Sequence, residues 1–245
     1  MTATRFAAPA RLRDPFVCAL AACALSLGVL PAAHAASLTP EQTVDVYLGA
    51  IINNDAAKVE QFNAAVRAAA EPKDAANRVL PVNMYGEMRE QMLGQTLASM
   101  SDAGREALAP ALDSMLVAYT GALQRAQCKA TGVKRTPRAG GDGQERATVG
   151  FECKVADVTP PGAAIMNAGK DAKTDQQRFA VTKTAFIAVA RAFDDAPARR
   201  RITGQVELVG SDSKGWRTDS PESLLKPVVD ALSGPVVAAV AASRQ

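Results

Sequence analysis

The stretch Cys128-KATGVKRTPRAGGDGQERATVGFE-Cys153 decides how the chain is read. Its midpoint lies between Gly140 and Gly141, inside Ala-Gly-Gly-Asp-Gly, a strong turn signal. Downstream, Ala147, Val149, Phe151, Cys153 and Val155 alternate with Thr148, Gly150, Glu152 and Lys154, the period of a half-buried strand. Upstream, Cys128 to Val133 supplies a shorter partner. Folded at its midpoint, the segment is a β-hairpin with the two cysteines opposite one another, where cross-strand Cα separations of ~4.5–5.5 Å suit a disulfide. Such a bond stabilises the fold by roughly 3 kcal/mol in the chain-entropy treatment. Two buried free thiols are the alternative reading. A metal site fits least, because two cysteines at this distance match no zinc-ligand spacing.

A disulfide needs an oxidising compartment, and the N-terminus supplies the address. Arg5, Arg11 and Arg13 precede an apolar run from Phe16 to Leu30, and Ala33-His34-Ala35 is a small-x-small cleavage signature. Residues 1–35 therefore read as a signal peptide cleaved after Ala35, placing the protein in the periplasm or outside the cell. The apolar run is too short for an ordinary membrane span. Leu20-Ala21-Ala22-Cys23 offers a competing lipoprotein reading, with Cys23 as the lipidated residue. Cleavage removes His34, the only histidine, together with Cys18 and Cys23. Ser-His and Cys-His catalysis and histidine-ligated metals are then excluded. It also removes three arginines and Asp14, so the net charge falls from +3 to near +1, which gives no general case for nucleic acid.

The remaining residues read as one domain, 36–233, with a C-terminal tail at 234–245. Thr39-Pro40-Glu41-Gln42 carries the N-cap, first-turn proline and capping-box glutamine of a helix whose apolar face is Val44, Tyr47, Leu48, Ile51 and Ile52. Asp55 is placed to cap a second helix running to about Ala70, with Val59, Phe62 and Val66 facing inward. An irregular connection from Glu71 to Asn83 leads to a third helix, where Met84, Met88 and Met92 recur four apart. Ser101-Asp102 opens a fourth, with Leu108, Leu112, Met115, Leu116, Tyr119 and Leu123 on one side; Pro110 is expected to kink or break it near Ala109. After the hairpin, Thr159 to Arg178 reads as a long mobile loop. Phe179 to Phe193 reads as a long strand of blurred alternation, with a helix as the alternative. Ile202, Gly204, Val206 and Leu208 make a clean strand, and Asp212-Ser-Lys-Gly215 turns the chain into Trp216. Asp219-Ser-Pro-Glu222 caps a short closing helix bearing Leu224, Leu225, Val228, Val229 and Leu232, which Gly234-Pro235 is expected to interrupt. The fold class is α+β: an N-terminal helical layer packed on a curved antiparallel sheet of about four strands.

The opening LTPEQTVDVYLGAIINND resembles the first helix of NTF2-like domains, and Gly215-Trp216-Arg217 is similar to the closing strand of that group. The run Ser101-Asp-Ala-Gly-Arg-Glu-Ala-Leu with Tyr119 is more distantly similar to periplasmic phospholipid-shuttle proteins. The resemblance implies a pocket between sheet and helices, used in different members for binding or for catalysis, and a fold alone does not choose between them.

The leading expectation is a secreted, non-enzymatic binding or accessory protein holding an apolar or amphipathic small ligand. Tyr47, Met88, Met92 and Tyr119 are the candidate lining residues; ordinary core packing explains them equally well. A second expectation is a basic patch. In an up-and-down meander the hairpin tip carrying Lys134, Arg135 and Arg138 shares one end of the sheet with Arg199, Arg200 and Arg201, a surface for anionic lipid or an acidic partner; solvated tips offset by Asp142, Glu145, Asp194 and Asp195 are the alternative. An acid/base enzyme would need a carboxylate and a phenol in one dry pocket. Asp45 and Asp113, the obvious carboxylates, sit off the apolar faces of their helices. No phosphate loop, nucleophile motif or metal-ligand cluster occurs, so no catalytic residue, cofactor or metal is expected.

Overall fold

In the computed structural model, which describes residues 38–69, 79–137, 143–162, 165 and 171–243, helices α1 (Pro40–Ile51), α2 (Ala56–Ala69), α3 (Met84–Ala98) and α4 (Asp102–Gln124) precede strands β1 (Gln127–Pro137) and β2 (Glu145–Ala156). Helix α5 (Asp175–Asp194) follows, then β3 (Ala198–Ser211), β4 (Gly215–Arg217) and α6 (Glu222–Ser243). The strands form one antiparallel sheet in the order β1-β2-β3-β4, so the α+β reading holds. Residues Ser37–Gln245 belong to one compact unit. The leader, its cleavage site, Cys23 and the hairpin tip with Arg138 lie outside the described residues.

The sheet has a dry face and a wet one because β2 and β3 alternate. Ala147, Val149, Phe151, Cys153 and Val155 are all buried beneath α1 and α6, while Arg146 and Lys154 face solvent. Cys128 pairs directly with Cys153, their Cα atoms 4.0 Å apart, and the disulfide is formed. One β-bulge lies between Ala130 and Gly132. There the Asp45 carboxylate accepts a hydrogen bond from the Ala130 N–H at 2.8 Å, so α1 engages the outer edge of β1. The first helix keeps its capping box at Thr39 and Gln42, as the sequence predicts.

Side chains tie the helical layer together through helix ends, where backbone carbonyls lack partners. The Tyr85 hydroxyl reaches the Ile51 and Ile52 carbonyls at 2.9 and 2.7 Å. Asn53 donates to the Gln124 and Ala126 carbonyls. Asn63 both donates to the Leu80 carbonyl and accepts from its N–H, fixing the return of the chain after α2.

Four expectations are corrected. Residues 179–193 are helical, not a strand. Phe179, Phe186 and Phe193 stand seven apart, two helical turns, on one side of α5. The Phe179 ring abuts Gly104, Tyr119 packs edge-on to Phe193 at 5.4 Å, and Arg125 donates to the Phe193 carbonyl, so α4 and α5 run parallel. The loop accordingly ends earlier, where Thr174 caps α5 with Gln177 in a second capping box. Pro110 does not break α4: it and Glu106, whose carbonyl it leaves without a donor, are exposed to water. Nor does Pro235 stop α6, which is continuous to Ser243. Pro235 frees the Ala231 carbonyl, and Arg200 of β3 donates to that oxygen at 2.9 Å. The fourth strand is β4, not residues 179–193.

Candidate functional site

The four candidate lining residues do not converge. Tyr47 is 4 % exposed and packs edge-on against Phe62 at 4.9 Å as a core residue. Its hydroxyl pKa is pushed up by burial, opposed by a hydrogen bond from the Thr218 backbone and by nearby Arg217. Met88 packs partly buried against the core, and Met92 is 40 % exposed. Tyr119 lies between α4 and α5, its pKa raised by burial and then by Asp230. Tyr85, not singled out from sequence, is as buried as Tyr47, and burial pushes its pKa far above the ordinary value. Between sheet and helices Leu48, Ile52, Leu123, Phe151, Leu224 and Leu232 are each no more than 1 % exposed.

The basic patch is split by the sheet register. Arg135 pairs with Ala147, at the tip end of the hairpin, whereas Arg200 pairs with Val155, at its root. From Ala147 to Val155 is roughly 26 Å at ~3.3 Å per residue. The two basic groups therefore occupy opposite ends, since α5 replaces the strand that would have brought them together. At the tip end, Arg135 is ion-paired with Asp212 at 2.8 Å and lies 5.1 Å from the Trp216 ring centroid. Its hydrogen bond holds the Asp212 carboxyl below the usual range, with a second from Trp216 Nε1. That cluster locks the β1–β2 hairpin to the β3–β4 turn.

At the other end lies an open groove of about 490 Å³, within the ~300–1,000 Å³ of ordinary ligand sites. Glu152 on β2 and Arg200, Arg201, Ile202 and Thr203 on β3 form one wall; Pro227, Asp230 and Ala231 on α6 form the other. Arg200 is anchored by its bond to the Ala231 carbonyl, with guanidinium N–H groups left over. Asp230 is ion-paired with Lys226, and Arg199, just outside the groove, with Asp157 at 3.0 Å. Neither Arg201 nor Glu152 has an ion-pair partner among the described residues. The groove thus offers opposite charges above a small apolar floor.

Sequence reasoning found Arg200 and Arg201 but gave them the wrong neighbours. The run of three arginines at the start of β3 was the signal present in the sequence. Nothing local predicts that Pro227 and Asp230, from a helix two elements later, complete the site. Among the described residues no group of acidic, cysteine or histidine side chains is arranged to hold a metal. Asp45 and Asp113 are engaged, by the Ala130 N–H and by Arg89 at 3.4 Å. Asp230, the carboxylate felt by Tyr119, is largely exposed. No family model, curated protein or solved structure matches the chain.

Proposed function

We propose that the protein is an exported, non-enzymatic binding or accessory protein that engages an amphipathic ligand in the groove between β3 and α6. The observation that carries this reading is the groove itself: Arg200, anchored on the α6 side of β3, and Arg201, unpaired on its wet side, border a groove whose other wall contains Pro227 and Ala231. Planar guanidinium groups pair bidentately with a carboxylate or phosphate, and the apolar floor accommodates a short hydrocarbon part. The Cys128–Cys153 bond is compatible with an oxidising extracellular compartment, and the sequence of residues 1–35 supports export to the periplasm. The NTF2-like and phospholipid-shuttle resemblances agree with a ligand-carrying role. The groove is lined by charged and apolar side chains together, so the ligand is amphipathic rather than wholly apolar.

The test is an NMR titration of the oxidised, exported chain with a short-chain anionic amphiphile such as octanoate or octyl phosphate. Shifts clustering on Glu152, Arg201, Thr203 and Asp230, and lost in Arg201→Glu, are expected. Shifts scattered over the surface, or unchanged by that substitution, would remove the reading. N-terminal sequencing of the exported protein should begin at Ala36.

A further inference from the structure

We infer that the unpaired side of β3, from Arg200 to Leu208, is a strand-addition site for an extended peptide that carries an acidic residue at the Arg201 end. The inference rests on the groove reading above and names its occupant.

The sheet stops short on this side. β4 pairs with β3 only through Val209, Gly210 and Ser211, and it does so antiparallel. The lane that β4 occupies continues alongside residues 200–208, where no described residue hydrogen-bonds the strand on the side away from β2. In an antiparallel ladder alternate residues direct N–H and C=O outward, so this stretch presents backbone groups unmatched by any described residue over roughly 26 Å. Such an edge templates another strand. At the opposite edge of the sheet, β1 has the Asp45 carboxylate on its Ala130 N–H. The groove opens along Arg200 to Thr203, and α6 supplies a floor beneath the lane.

Charge fixes the orientation and register. Arg199 is matched by Asp157, but Arg201 has no carboxylate partner among the described residues. Glu207 lies on the same wet face of β3, is exposed, and likewise has no ion-pair partner among the described residues. A strand running antiparallel to β3, as β4 does, would place its N-terminal end beside Glu207 and its C-terminal end beside Arg201. The complementary peptide is therefore basic at its start and acidic at its end, with apolar residues at alternate positions turned toward α6.

The probe is the peptide Lys-Val-Thr-Val-Thr-Val-Glu with both ends blocked, added to the oxidised full chain. Slowed hydrogen exchange at alternate amides between 200 and 208 is expected, with binding weakened at least tenfold by Arg201→Glu and by Glu207→Lys. A peptide N-methylated at alternate amides, with side chains unchanged, should lose binding, and the sequence with its terminal charges exchanged should bind at least tenfold more weakly. Equal binding of the charge-exchanged or N-methylated peptide, or protection outside β3, overturns the inference. No binding of the peptide while octanoate still shifts Arg201 and Thr203 overturns strand addition and leaves the groove reading standing; failure of both ligands overturns both.

Discussion

Among the described residues two glycines face phenylalanine rings, and their surroundings give them opposite importance. In the sheet, Gly204 of β3 is paired with Phe151 of β2, and a Cβ on Gly204 would come within 2.3 Å of the ring. Phe151 is 1 % exposed, so the ring has nowhere to go. In the helical layer, Gly104 of α4 faces Phe179 of α5, where a Cβ would sit 3.2 Å from the ring. Phe179 is only half-buried, at the open end of the helix pair. The same small-against-aromatic match is a rigid constraint where the ring is enclosed and a soft one where it is not.

The largest effect belongs to the sheet's staple, two residues from Phe151. Removing both sulfurs with Cys128→Ala and Cys153→Ala should cost about 3 kcal/mol in urea unfolding, because the open chain regains its loop entropy. A loss below about 1 kcal/mol would mean that β1 and β2 stay together without the bond. Gly204→Ala should cost about 2 kcal/mol by overpacking, and Phe151→Leu should partly rescue it in a double-mutant cycle. Additive losses would show that the ring is not what the new methyl meets.

Tyr85→Phe lies between the two cases. It leaves the Ile51 and Ile52 carbonyls without their hydroxyl donor in a buried site and should cost about 1–2 kcal/mol at neutral pH. The same group contributes to alkaline sensitivity. Burial raises the folded pKa of Tyr85 above the ordinary 10.0, so its contribution is intact below that pH and is lost as pH rises toward the folded value. Tyr47 and Tyr119 shift in the same direction. Stability should decline above pH 10, less steeply in Tyr85→Phe than in the wild type. Gly104→Ala should change stability least, within about 0.5 kcal/mol, since the gain in helix propensity offsets a contact that Phe179 can relieve by shifting. A loss as large as that of Gly204→Ala would abolish the distinction between the two glycines.

The contrast also marks where sequence reading works. In β2 the alternation from Ala147 to Val155 is clean because one face is fully buried and the other wet, so period two is written in the residues. In α5 only Val189, Ala190 and Phe193 are buried, and its β-branched and aromatic residues suit a strand as well as a helix. The Phe179, Phe186, Phe193 spacing was the legible helical signal, but its complement lies on α4, across the hairpin. The two interior prolines misled for a related reason. Their local cost depends on whether water or a distant side chain takes up the freed carbonyl, as Arg200 does for Ala231.

By itself the sequence determined the α+β class, the disulfide and the capping of α1, because these rest on short-range periodicity, cap chemistry and the symmetry of one hairpin. Only the tertiary structure decided that Arg135 and Arg200 stand at opposite ends, that Tyr47 is core, and that β3 borders a groove with α6. Those facts depend on which elements lie side by side, and a single helix in place of a strand was enough to rearrange them.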